Sequence, residues 1–320
     1  MYDIQFIQNN NTELLVLSGD IGSYIYKWSD VEECIPSEGI ITTPNTVHVQ
    51  PITIFHPHPS PSDIIEINST SYDSKANVLY GAAGDAFGCY QWDLETETLL
   101  GTFGGRRGGA PQDYLHVVKV TENGVLTGGE DGTMGFWSGK ETKLIQLFDI
   151  QDTMNKNKQL VTGQSVHKGG FLNNSSVWSH GSNLWISSIE QHGNWLAVGG
   201  GAEHGHNGIT SRSSSTPATS GFMTMWHSPT RSFTSGCVTR ENIHAIVYNP
   251  SLDLFVTGAN ECRISYWEST SAKRLGRAWC SSSAIYAMSM SVENGMMIAG
   301  GCGGVLDCYV DQMRVSQLRI

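Results

Sequence analysis

Positive charge is scarce in this sequence. Lys and Arg number 19 against 30 Asp and Glu, a formal net charge of −11 over 320 residues. The only basic pairs are Arg106-Arg107 and Lys273-Arg274, and no longer basic run exists. An acidic surface repels phosphate backbones, so direct nucleic-acid binding by the bulk of the chain is not expected. Charged residues of both signs make up only 15% of the chain, which argues against long solvated helices. No apolar run exceeds five residues, too short for a membrane-spanning helix, and no membrane partner is expected. The opening residues, Met1-Tyr2-Asp3-Ile4-Gln5, carry neither the basic nor the apolar region of a signal peptide. The seven cysteines are scattered without a C-x-x-C pair, which predicts reduced thiols in cytosol or nucleus.

Catalytic signatures are missing too. There is no G-x-S-x-G elbow and no phosphate-binding G-x-x-x-x-G-K-[ST] loop. His56-x-His58 and His204-x-His206 could place two imidazoles on one side of an extended strand, but neither pair has a third ligand nearby. They read as loop histidines, so no metal, cofactor or catalytic residue is assigned. Cys302 and Cys308 flank a hairpin and read as free thiols. Gly104-Gly105-Arg106-Arg107-Gly108-Gly109 reads as a solvated loop, and the Ser/Thr-rich stretch 211–220 as a tolerated insertion.

What the chain has is glycine, 36 residues, and a repeat. The recurring phrase is an apolar pair, a Gly, a polar turn, alternating apolar residues and an aromatic. Its clearest copy is Val125-Leu126-Thr127-Gly128-Gly129-Glu130-Asp131-Gly132-Thr133-Met134-Gly135-Phe136-Trp137. Other copies end at Trp28, Trp92, Trp226, Trp267 and Tyr309, and in four copies Gly and aromatic lie nine residues apart. That spacing fits two antiparallel strands and a tight turn. A short alternating run precedes each phrase and another follows it. Four strands per unit of about 42 residues predict β-propeller blades. Approximate blades are 1–61, 62–113, 114–182, 183–241, 242–283 and 284–320, in a single all-β domain over 1–320. The late aromatics are expected between blades as core rather than as a ligand platform. Stretches 34–61, 151–182 and 202–220 are expected to be exposed, poorly ordered insertions.

These phrases resemble WD40 repeats, although only Trp92-Asp93 carries the literal Trp-Asp pair; Asp131 occupies the position of the family's turn aspartate. More specifically the chain resembles the sixth-subunit family of the THO/TREX assembly. The resemblance rests on Ser18-Gly19-Asp20, Trp92-Asp93-Leu94-Glu95-Thr96, Tyr114-Leu115-His116, Gly128-Gly129-Glu130-Asp131-Gly132, Trp195-Leu196-Ala197-Val198-Gly199-Gly200-Gly201 and Thr224-Met225-Trp226-His227. It implies a non-enzymatic nuclear scaffold, with a cytoplasmic pool allowed, in mRNP assembly and mRNA export. Implied partners are other THO/TREX subunits, helical ones and notably the fifth. The family is seven-bladed while six units are legible here, so a first blade is expected to be lacking. The alternatives are a WD40 substrate adaptor of a ubiquitin ligase and, further off, a propeller enzyme.

Overall fold

The computed structural model describes residues 3–33, 49–57, 65–84, 88–104, 113–163, 183–203, 221–291 and 295–319. The described residues form an all-β fold of six up-and-down sheets. In the first, β1 (Asp3–Asn9), β2 (Thr12–Gly19), β3 (Gly22–Lys27) and β4 (Thr53–Phe55) pair in order, with helix α1 (Trp28–Glu32) after β3. The second holds β5 (Ile67–Asp73), β6 (Val78–Ala83), β7 (Gly88–Asp93) and β8 (Thr98–Gly104). The third holds β9 (Leu115–Thr121), β10 (Gly124–Gly129), β11 (Thr133–Ser138) and β12 (Lys143–Asp149). Helix α2 (Ile150–Lys156), a 3-10 turn and β13 (Val161–Gly163) follow. The fourth sheet is β14 (Asn183–His192), β15 (Trp195–Glu203), β16 (Gly221–His227) and β17 (Ser232–Thr239), with β13 added parallel to β17. The fifth is β18 (Ile243–Asn249), β19 (Leu254–Ala259), β20 (Arg263–Glu268) and β21 (Arg274–Trp279). The sixth is β22 (Ile285–Met290), β23 (Met296–Gly301), β24 (Val305–Val310) and β25 (Met313–Arg319).

Burial follows strand position. The second strands β6 and β19 are buried at every residue, on both faces, and the third strand β16 at every residue but its last, His227. Outer strands such as β12 are largely exposed. A sheet with both faces covered and one edge in water is a blade between neighbours. Within each unit, first strands are also tied sideways by side-chain hydrogen bonds. Asp3 accepts from the Thr70 N–H and hydroxyl, Ser71 from the Val120 N–H, and Ser188 from the Ile246 N–H.

Two compact units divide the chain, one over Met1–Thr127 and Gly135–Gln146, the other over Gly128–Met134 and Leu147–Ile320. The first has cores around Leu79 with Trp92 and around Val125 with Trp137. The second has cores around Phe255 with Trp267 and around Ile285 with Tyr309.

Two of the expected loops carry structure where they are described. Stretch 34–61 includes β4, whose β-branched Thr53 and Ile54 pair with β3 and whose Phe55 is buried against the Trp92 ring, 5.6 Å between centroids. Stretch 151–182 begins inside α2, not in an exposed loop. Asp149 caps that helix by accepting the Asp152 N–H at 2.8 Å, and Ile150 and Met154, four residues apart, bury one face. The polar composition hid an amphipathic turn. Residues 34–48, 58–61, 164–182 and 204–220, with the Arg106-Arg107 loop, His58, His204 and His206, lie outside the described residues.

Candidate interaction surface

The repeat residues build the frame of any surface. At three of them the indole N–H of the late Trp donates to a threonine. Trp137 bonds Thr127 at 2.9 Å and Trp267 bonds Thr257 at 2.9 Å, each across ten residues; Trp226 bonds Thr224 at 3.0 Å on its own strand. All six of these side chains are buried. A buried indole that keeps its hydrogen bond contributes its apolar area without a desolvation penalty. The threonines were not singled out from the sequence, yet a signal was present: Thr stands directly before Gly in the phrase at both ten-residue spacings.

The other repeat positions solve the same problem differently. Trp92 stacks on Tyr90, and a Cβ at Gly81 would lie 2.8 Å from its ring, so only glycine leaves room. Tyr309 donates its hydroxyl to the Trp279 carbonyl at 2.6 Å, and burial pushes its pKa far up. Trp28 departs from the expected pattern. It opens α1 instead of ending a strand, is only half-buried, and meets Phe6 edge-on at 4.9 Å. Ser18, at the threonine position of that copy, bonds Ser23 instead. The aspartates act in turns. Asp93 accepts from the N–H groups of Glu95 and Thr96, which holds its carboxyl below the ordinary range, and Asp131 accepts from the Thr133 N–H and hydroxyl.

One feature of the first strands went unread in the sequence. Trp185 on β14, His244 on β18 and Tyr286 on β22 form an aromatic row across three successive sheets. The His244 ring lies 5.8 Å from Trp185, stacked, and 4.8 Å from Tyr286, edge-on. Gly201 makes space for it, since a Cβ there would fall 2.3 Å from the Trp185 ring. His244 Nε2 pairs with Asn260 Oδ1 at 2.9 Å. Burial lowers the His244 pKa, opposed by the Asn260 bond, so the imidazole is neutral near pH 7. Tyr286 is 54% exposed, so the row offers an apolar aromatic ledge rather than an acid–base pair. Among the described residues no group of three or more His, Cys, Asp or Glu could hold a metal, and Cys89, Cys237, Cys262, Cys280, Cys302 and Cys308 are free thiols.

Six propeller blades, five with a late Trp in the repeat and the sixth with Tyr309, define a WD40-type β-propeller protein. Solved structures agree on the fold. The computationally designed Ika8 protein aligns with a TM-score of 0.57 at 16% identity, covering 99% of this chain and 73% of that one. A chain of the mitotic checkpoint complex aligns at 0.58 and 11%, covering 98% and 73%. In sequence the chain resembles THO complex subunit 6. The Arabidopsis thaliana protein is 32% identical over 160 residues, 47% of this chain and 41% of that protein. The Rattus norvegicus homolog is 24% identical over 218 residues, 66% and 49%. The Drosophila melanogaster protein is 24% identical over 201 residues, 62% and 46%. The chain thus spans less than half the length of these curated relatives. No protein-family model matches it.

Proposed function

We propose that this chain is a non-enzymatic WD40 scaffold subunit of a THO/TREX-like complex, acting in mRNP assembly and nuclear mRNA export. The observation that carries the reading is the shared description of its relatives: plant, rodent and insect sequences that match it are all THO complex subunit 6. The whole chain acts as one WD40 domain in the nucleus, with a cytoplasmic pool allowed. The seven-bladed ring of that family is part of this reading. Trp28, Trp92, Trp137, Trp226, Trp267 and Tyr309, with the turn residues Asp93 and Asp131, serve blade packing and carry no ligand. Its partners are other THO/TREX subunits, helical ones and notably the fifth. RNA contact belongs to those partners, in keeping with the net charge of −11.

Affinity purification of the tagged full chain followed by mass spectrometry tests this. THO subunits should be recovered. Recovery of ubiquitin-ligase subunits without any THO subunit would instead favour the adaptor reading.

A further inference from the structure

In this acidic chain the fifth sheet gathers arginines on one side. Arg263 at the start of β20 lies opposite Trp279 at the end of β21. Its guanidinium sits 4.7 Å from the centre of the Trp279 ring, and that indole is 67% exposed. The next cross-strand pair on the same face is Ser265 with Arg277. Leu275, 52% exposed, follows on that face. The opposite face, with Ile264, Tyr266 and Ala278, packs into the core shared with the sixth sheet. The arginine face therefore looks toward the fourth sheet. There Glu241, two residues past β17, pairs with Arg277 at 2.8 Å.

Arg274 completes the group. Burial and the neighbouring Arg277 depress its basicity, with Glu241 opposing and Arg263 adding to the repulsion. Glu241 thus faces both Arg277 and Arg274, and Arg263 adds a third guanidinium beside them. Arg277 Nε is buried with no hydrogen-bond partner among the described residues. A crowded, partly desolvated arginine group gains most from an added carboxylate, and an exposed Trp beside a guanidinium is the composition of a binding hot spot.

We propose that the arginine face of the fifth sheet, beside Glu241, docks an acidic peptide segment of a partner protein. Its carboxylates engage Arg263, Arg274 and Arg277, and an apolar side chain rests on Trp279 and Leu275. Charge complementarity selects this occupant. Arg263, Arg274 and Arg277 beside Glu241 leave positive charge locally, while the net −11 of the chain opposes a nucleic-acid strand running on beyond this face. The inference stands apart from the THO reading, since it concerns partner chemistry and not partner name.

The test is fluorescence anisotropy of the full chain with a short fluorescein-labelled peptide alternating glutamate and leucine. Binding in the micromolar range that weakens with added salt is expected, with none for the matching lysine–leucine peptide. Trp279→Ala and Arg263→Gln alter partly or largely exposed side chains and should each weaken binding about tenfold, or about 1.4 kcal/mol. Lys75→Ala, in the turn after β5, should leave it unchanged. Absence of salt-sensitive binding, or binding indifferent to both the Trp279 and the Arg263 variant, would overturn the proposal. So would tighter binding of a single-stranded RNA oligonucleotide through the same two residues.

Discussion

At the residue scale, the indole–threonine pairs are specific enough to measure. Trp267→Phe keeps most of the buried ring and deletes the donor to Thr257; Thr257→Val deletes the acceptor. A double-mutant cycle in urea should give a coupling of about 1 kcal/mol, and additive single effects would show that the bond contributes nothing. Backbone strain supplies a second test. Thr142 sits at φ +51° in the turn before β12, a region β-branched residues avoid. Thr142→Gly should raise the urea midpoint by the equivalent of up to about 1 kcal/mol, the strain relieved exceeding the entropy that glycine adds to the unfolded chain, and a lowered midpoint would show that the turn is unstrained. The positions of the late aromatics could be read from the sequence because one phrase repeats. Their hydrogen-bond partners could not, because Thr127 and Thr257 are reached across a hairpin while Thr224 shares a strand with its Trp.

At the element scale, the strands follow from alternation and turn chemistry, while the additions to them do not. β13 is three residues long and gains its place by pairing parallel with β17. Such a short strand has no periodicity to detect, and the β17 residue that Val161 pairs with, Gly236, also seats α2. A Cβ at Gly236 of β17 would lie 3.4 Å from the Met154 Cε, a distance that shows how closely the helix seats. Met154→Ala should cost about 2–5 kcal/mol of local stability. Amide exchange at Val161–Gly163 should then speed up markedly more than in β19; equal protection would mean that α2 does not hold β13. The row on β14, β18 and β22 gives a pH prediction. The pKa of His244 is depressed in the fold, so its contribution is full above the ordinary value of 6.5 and is lost as pH falls through the folded value. Between about pH 7.5 and about pH 5.5 the native chain should lose stability more steeply than His244→Gln. Parallel slopes would remove His244 as the cause.

At the scale of the whole molecule, six sheets could be counted from six aromatic-ended phrases because each blade must bury both faces of its middle strands. Trp28 shows where that counting weakens: the phrase is present, but α1 interrupts the strand it should end. The proposed function rests on resemblance, carried by phrases such as Trp92-Asp93 and Gly128-Gly129-Glu130-Asp131-Gly132 rather than by a catalytic motif. The propeller blades and the relatives named THO complex subunit 6 support the proposed reading, in which the chain works by holding other proteins. Reconstitution tests this most directly. The purified full chain, mixed with recombinant THO subunits including the fifth, should co-elute with them in stoichiometric amount on size exclusion at physiological salt. Elution of the chain alone, with the THO subunits assembled without it, would contradict the account.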